Sequence, residues 1–408
     1  MVPGFSSKKD QTWRKKSIPG EPMASPGAII PISELCIRCT GRIFAMEGHG
    51  MSNTERGMSF IQSESSQGRI ISSVEPVECA ICHGIFTQLD LYASEIIQRL
   101  SEFEFSSFLL GSTFPEETIN NESLLQGSYG SRGESIKKEF NRELGKIIEN
   151  KLKKELDRDD PDIMVKIDTR YMKIDFQVKS IYIYGKYRKF NRIMPQTKWI
   201  KYSEVKDTIE SIIGEKLNML TNGDLYYLHG AGREDVDVKM LGNGREFIIE
   251  SCNPRIRKID LAKMEEMVNS SGKGIEIIDL SLTTRTHVRK IKEEKHAKVY
   301  MATVTSDREI EKESFAESIS GINGKVIYQR TPLRVSTSRS DLVRERKVMC
   351  VSIEDIQKNS ARLRIEAEAG VYIKELISGD HGRTNPNLSD LSGMKLIISE
   401  LDVIEIKR

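Results

Sequence analysis

Two Cys-x-x-Cys pairs constrain what this chain can fold into more tightly than any other feature of it. Cys36-Ile37-Arg38-Cys39 and Cys79-Ala80-Ile81-Cys82 stand with 39 residues between them. Each turn can point two thiolates at one metal, and two such turns complete a tetrahedral four-sulfur site. Whatever folds between the pairs must therefore bring the second turn back to the first. A redox pair or unligated thiols are the alternatives, and two pairs in one small region favour zinc over both. A four-cysteine shell leaves the nearby His49 and His83 no necessary role. It also marks the metal as structural, because a catalytic zinc keeps an open position.

At 408 residues the chain is too long for one ordinary core, which predicts two or three domains. Charged residues make up 30% of it, yet the net charge is only +2, so any nucleic-acid surface must come from local clustering of Lys and Arg. No apolar run approaches the roughly 18 residues of a membrane span, and no hydrophobic signal region opens the chain. The expectation is a cytoplasmic, monomeric protein with no membrane partner. Its six cysteines then speak for a metal or reduced thiols rather than disulfides.

Residues 1–30 are rich in Lys, Ser, Pro and Gly and read as a disordered basic tail, within which Met23 is an equally good start. Phe86, Leu89, Ile96, Ile97 and Leu100 fall at mostly helical intervals. Ile136, Phe140, Leu144, Ile147, Ile148, Leu152 and Leu156 form a clearer amphipathic stripe. Strands are predicted over 163–168 and 172–178. Across 181–192 aromatics alternate with Lys and Arg, and Gln196, Lys198 and Trp199 follow. Aromatic faces stack on bases and cations neutralise phosphates, so the segment suits RNA, the alternative being an edge strand guarded by charge. A new helical segment from Val205 to Leu217 sets a domain boundary near residue 200. Beyond it come strands over 247–250, 298–304, 326–335 (broken at Pro332), 363–369 and 400–406, with a strand-to-helix passage at 370–377. Arg330, Arg334, Arg339, Arg344 and Arg346 make a second basic stripe. This mixing of elements points to an α+β catalytic domain.

Glu234, Asp235 and Asp237 crowd into the stretch Gly232-Arg233-Glu234-Asp235-Val236-Asp237, with a Gly-Asn-Gly turn at 242–244 beyond it. A carboxylate on a loop beside a strand suits an acid that must be held in place, although a charged surface turn would look the same. Gly232-Arg233-Glu234-Asp235 resembles the Gly-Arg-x-Asp signature of pseudouridine synthases. Together with Asp237-Val238, the segments 328–335, 372–380 and 382–386, Leu401-Asp402-Val403 and the cysteine pairs, it resembles the archaeal tRNA pseudouridine synthases that act on uridines 54 and 55 of the TΨC arm. The resemblance runs over nearly the whole chain after residue 30.

That resemblance implies a C-terminal pseudouridine synthase domain (200–408) with a mixed central sheet and a cleft across it. It also implies an N-terminal accessory domain (31–199) carrying the zinc site and a THUMP-type RNA-binding region, with the helix at 136–156 and strands to about 190. The partner is tRNA, and the reaction needs no nucleotide, redox or other catalytic cofactor, in keeping with the lack of a Walker loop or a full Gly-x-Gly-x-x-Gly. By the same resemblance Asp235 is the nucleophile, although its residue type alone does not separate it from Glu234 and Asp237. Tyr300 would stack on uracil or take a proton, Lys374 would sit beside the aspartate, and Tyr372 would pack beneath, on the same face if that segment is extended. Arg233 would fill the space left by a flipped uridine, and the glycines would let a nucleotide approach the loop. Lys186, Arg188, Lys189, Arg330, Arg334, Arg339 and Arg344 would contact phosphates. The competing classes are a non-catalytic zinc-containing tRNA-binding protein or chaperone, and an RNA methyltransferase, against which the missing donor-binding glycine loop counts.

Overall fold

The computed structural model describes residues 30–45, 50–66, 78–128, 133–198, 207–337 and 339–408. The expected tail (but for its last residue), His49, Trp199 and the first residues of the helix expected from Val205 lie outside them. The chain divides into two compact units. Of the described residues, one is built from those up to Glu95 with those of Leu110–Lys153 and Lys166–Asp175, the other from those of Ile96–Leu109, Lys154–Val165 and Phe176–Arg408.

Toward the N-terminus, α1 (Ile37–Ile43) starts inside the first cysteine pair, and α2 (Asn53–Ser66) follows. Then come α3 (Leu89–Leu100), β1 (Ser107–Thr113), α4 (Glu116–Ser128) and α5 (Ile136–Leu152). The stripe of α5 is buried as its periodicity requires: Ile136, Phe140, Leu144 and Ile148 are fully enclosed. Phe86, Tyr92 and Phe114 set their rings edge-on to Phe140 at centroid distances of 6.4, 5.4 and 5.5 Å. Ser135 caps the helix through the Lys138 amide. The helix ends four residues before the apolar stripe does. Lys153 turns left-handed, and Leu156 instead belongs to β2 (Glu155–Leu156), parallel to β1. With β3 (Ile163–Asp168) and β4 (Lys173–Val178) these form a four-stranded sheet in the order β2-β1-β3-β4.

The larger unit is organised on a ten-stranded sheet. Its strands are β5 (Ile181–Lys189), β6 (Leu225–Gly230), β7 (Lys239–Cys252), β8 (Ile275–Thr283), β9 (Lys298–Ser306), β10 (Val326–Arg330), β11 (Val343–Gln357), β12 (Ser360–Ala367), β13 (Thr384–Asn385) and β14 (Leu396–Ile406). Their order is β13-β10-β11-β12-β9-β14-β7-β5-β8, with β6 paired to β7. The β14–β7 pair is parallel and its neighbours are antiparallel, which makes the sheet mixed. Helices α6 (Ile209–Thr221) and α7 (Leu261–Asn269) cover the β6–β8 end. Helix α8 (Arg285–Glu293) precedes β9, and α9 (Lys312–Ser320), α10 (Ile373–Ser378) and α11 (Leu388–Ser392) lie toward β11 and β14. No helix among the described residues is long and apolar enough to cross a membrane.

Three expectations change here. The large sheet begins at β5, well before residue 200, because β5 is paired along both edges, to β7 and to β8. It is therefore neither a guarded edge nor part of the smaller sheet. The Gly-Asn-Gly stretch does not turn the chain. It lies within β7 with Gly242 at φ +59°, where a Cβ would meet the Ile404 carbonyl oxygen at 1.8 Å. The close approach that demands glycine comes from β14, and no nucleotide is needed to explain it. Residues 370–377 pass straight from a turn into α10, so Tyr372 is a helix N-cap and not part of an extended strand.

Candidate active site

The loop from Ala231 to Val238, between β6 and β7, is fastened from behind before any of its groups faces a ligand. Glu234 turns inward, where Arg245 Nε donates to its Oε2 at 2.8 Å and the Tyr187 hydroxyl donates to its carboxylate at 2.9 Å. Gln196 donates to the Tyr187 oxygen (2.9 Å) and to the Gly232 carbonyl (3.1 Å), and Arg245 Nη1 donates to the Ala231 carbonyl (2.9 Å). The Arg245 and Glu234 side chains are 3% and 2% exposed, so this is a buried ion pair, with further hydrogen bonds to Tyr187 and the Ala231 carbonyl. Burial alone would lower the Arg245 pKa, but the Glu234 carboxylate holds it above its ordinary value. Burial and Glu234 keep Tyr187 a phenol, able to donate.

Lys189 completes the anchorage. Its ammonium donates to the carbonyls of Met194 (3.1 Å), Asp235 (3.2 Å) and Val236 (3.0 Å), which uses all three protons. Burial lowers its pKa, partly offset by Glu234 and Asp237. With only 1% of its surface exposed, Lys189 cannot meet an RNA phosphate, contrary to expectation. The signal that could have placed it is its phase. Ile181, Ile183, Tyr187 and Lys189 are all buried on one face of β5, and Arg245 shares a phase with Phe247 and Ile249 on β7. A cation at a core position of a strand requires an internal partner.

With Glu234 drawn in, Asp235 faces outward. Arg334 Nη1 lies 2.9 Å from its Oδ1 and 2.8 Å from its Oδ2. Lys374 is near, as expected, but 3.5 Å from Asp235; it binds Asp237 more closely, at 2.8 and 2.6 Å. Burial would raise the Asp237 pKa, and the Lys374 ammonium overrides this and lowers it. Arg334 also donates through Nε to Glu375 Oε1 at 2.7 Å. Burial opposes its charge, but Glu375 and Asp235 together raise its pKa.

Tyr300 on β9 is 8% exposed and lines the same cleft, which encloses about 770 Å³. Burial pushes its hydroxyl up to about 12, with Arg245 opposing and Asp235 reinforcing the shift. At pH 7 the hydroxyl is therefore held protonated. Lys298, two residues earlier on β9, also lines the cleft. Burial and Arg245 bring its pKa down to about 8. Tyr372 is held through its backbone by Gln329 (2.9 and 3.0 Å), and its hydroxyl accepts from Arg339 at 2.7 Å.

The cations assigned to phosphates separate into two groups. Arg334, Arg339 and Arg344 line the cleft, as do Arg233, expected to fill the space of a flipped uridine, and Arg192 and Arg346. The others lie off it and are engaged within the protein: Lys186 with Asp279 (2.6 Å), Arg188 with Glu276 (2.8 Å) and Arg330 with Asp341 (2.7 Å).

In the first unit the four thiols of Cys36, Cys39, Cys79 and Cys82 converge, with all sulfurs within 4.8 Å of one another. A tetrahedron with metal–sulfur bonds of about 2.3 Å has edges of about 3.8 Å. Cys36 and Cys82 stand 3.7 Å apart, so the cluster can hold a metal ion. His83 faces Glu78 at 3.1 Å and takes no place in the shell.

The family model described as Pus10, C-terminal, matches residues 182–407, from the second residue of β5 to the penultimate residue of the chain. The archaeal Pus10 THUMP domain model matches residues 92–168. Curated relatives named tRNA pseudouridine synthase Pus10 include those of Thermoplasma acidophilum (48% identical, covering 92% of this chain and 96% of the relative) and Pyrococcus furiosus (40% identical, 93% and 96%). Among solved structures, a chain of a Cbf5-Nop10-Gar1 complex aligns over 54% of this chain and 48% of its own, at 16% identity and a TM-score of 0.33. The chain belongs to the Pus10 family.

The depressed pKa of Lys298 makes stability depend on pH. Between about 8 and its ordinary value of 10.5, the unfolded chain binds a proton that the folded chain does not, so stability rises with pH across that window. Below pH 8 the folded state carries the buried charge at full cost. Lys298→Met is expected to unfold at a higher temperature than the native protein at pH 7, with the gap closing as pH climbs through the window. A gap independent of pH, followed by calorimetry, would refute the assignment.

Proposed function

We propose that the chain is a tRNA pseudouridine synthase that isomerises uridines 54 and 55 of the TΨC arm, with Asp235 as the nucleophile and zinc in the four-cysteine site. One observation carries the reading: of three neighbouring acids, Glu234 is sealed behind the loop and Asp237 is taken by Lys374, while Asp235 faces the cleft between Arg334 and Lys374. The curated relatives, matched over almost their entire length, support it.

In the isomerisation the C1′–N1 bond breaks, a C1′–C5 bond forms, C5 loses a proton and N1 ends protonated. Nothing is oxidised or transferred away, so the protein must supply an anionic partner for the detached fragment, a surface on which uracil can turn, and an acceptor for the C5 proton. The Asp235 carboxylate provides the first and the ring of Tyr300 the second. The Tyr300 hydroxyl ionises so reluctantly that it can take the C5 proton only while its own passes on toward N1, the atom that ends protonated. The target base must leave its folded arm at a cost of a few kcal/mol. Phosphate contacts from Arg339 and Arg344 along the cleft offset that cost. The closed shell of four thiolates gives zinc a structural role, since it leaves no position for a reacting water.

Asp235→Asn is expected to abolish pseudouridine formation on an unmodified tRNA transcript while tRNA affinity stays within about two-fold of native. Wild-type turnover would exclude the assignment. Affinity should fall steeply with salt. Arg339→Ala and Arg344→Ala should each reduce the log–log slope by about one, whereas Lys186→Ala and Arg188→Ala should leave it unchanged. A slope that responds to the second pair and not to the first would place the RNA on another face.

A further inference from the structure

Lys298 faces the cleft with less internal support than the cations around it. It opens β9 two residues before Tyr300, so the two side chains leave the strand on one face, about 7 Å apart along it, and both line the cleft. Its cross-strand neighbours are Ala367 on β12 and Ile406 on β14, both buried and apolar. The half-buried ammonium donates once, to the His296 carbonyl at 3.0 Å, which leaves two of its three protons without an acceptor among the described residues. Burial and the like charge of Arg245 both act against it, and no carboxylate among the described residues offsets them. The other cations are provided for: Lys189 by three carbonyls, Arg245 by Glu234, Lys374 by Asp237. An enclosed charge without a partner is held at a cost in stability. Such a cost is tolerated where the group acts on a substrate.

We propose that Lys298 is a catalytic residue: its ammonium holds the uracil detached from C1′ and delivers the proton that N1 acquires. This rests on the pseudouridine synthase reading, with Asp235 and Tyr300 in the roles given above. When the C1′–N1 bond breaks, both bonding electrons leave with uracil and spread over N1 and the two carbonyl oxygens. The Asp235 carboxylate meets the sugar side of that separation, and the uracil side calls for a cation. Lys298 offers two protons to it while the ring lies on Tyr300. As the C1′–C5 bond forms, C5 gives its proton to the Tyr300 oxygen, the phenol proton passes to Lys298, and a proton of Lys298 goes to N1. Charge and protons balance with no added reactant, and Lys298 ends as it began.

The test is turnover on an unmodified tRNA transcript, measured with tRNA affinity, its salt slope and the unfolding midpoint. Lys298→Met should lower kcat by about 100-fold or more, the scale of a lost proton donor, with affinity and salt slope nearly native and a midpoint above native at pH 7. A lysine with a structural role alone would not move rate and stability in opposite directions. In the native protein kcat/KM should fall as pH rises through about 8, where the donating ammonium is lost, and Lys298→Met should lack that limb. Arg245 and Tyr300 beside it keep their protons across this range. Lys298→Arg, a charge that cannot give up its proton, should stay slow and flat in pH. Millimolar ethylamine should restore part of the rate to Lys298→Ala and none to Asp235→Asn. The proposal is overturned if Lys298→Met keeps its kcat, and a loss of affinity with about one unit of salt slope would then mark a phosphate contact. A fully active Lys298→Arg, or no rescue by ethylamine, would overturn it equally. An active Asp235→Asn would instead remove the functional reading itself, so the two failures are distinguishable.

Discussion

The buried pair of Glu234 and Arg245 is the interaction on which the cleft depends. Two charges removed from water are costly unless each is fully met by partners. Here Tyr187 and Arg245 both donate to the carboxylate, while the Ala231 carbonyl takes a second guanidinium proton. The consequence is directional. Drawing Glu234 behind the loop presents the next side chain, Asp235, to the opposite side, while Lys189 holds the carbonyls of Asp235 and Val236 from below. Two adjacent acids of similar chemistry thus acquire opposite roles from the cations that meet them.

Those cations come from elements far apart in the chain. Lys189 ends β5, Arg245 lies in β7, Arg334 follows β10, and Lys374 and Glu375 open α10. The mixed sheet brings them together, with the parallel pairing of β14 on β7 next to the antiparallel pairing of β9 on β14. That arrangement sets Tyr300 across from Val403, both lining the cleft. The floor is therefore rigid strand, and the polar groups around it are supplied by connections. This division suits a reaction in which a base must be turned on a fixed surface beside a carboxylate held in one place.

Local pattern made several parts of this legible. The stripe of α5 and the β-branched runs of β3, β4 and β9 announce their elements to within a few residues. Asp235 could be singled out through its motif. Pairing between distant charges was not legible, because periodicity reports which face is buried and not which partner waits there. Lys189 and Arg334 both read as phosphate contacts from their basic neighbourhoods. Yet the first binds carbonyls 46 and 47 residues away, and the second a carboxylate 99 residues away. Gly242 read as a turn because glycine marks turns more often than it marks another strand's approach. The end of α5 was obscured because Leu156 continues the apolar stripe after the backbone has left the helix.

The most direct measurement is on Glu234→Gln, comparing turnover per folded molecule, tRNA affinity and unfolding midpoint with the native protein. Leaving Arg245 without its charge partner should cost on the order of 3 kcal/mol or more. A lowered midpoint and reduced turnover are expected, with tRNA affinity preserved because the Glu234 carboxylate is buried against Arg245 and Tyr187. Native turnover at a native midpoint would contradict it, showing that the buried pair neither holds the loop nor aims Asp235.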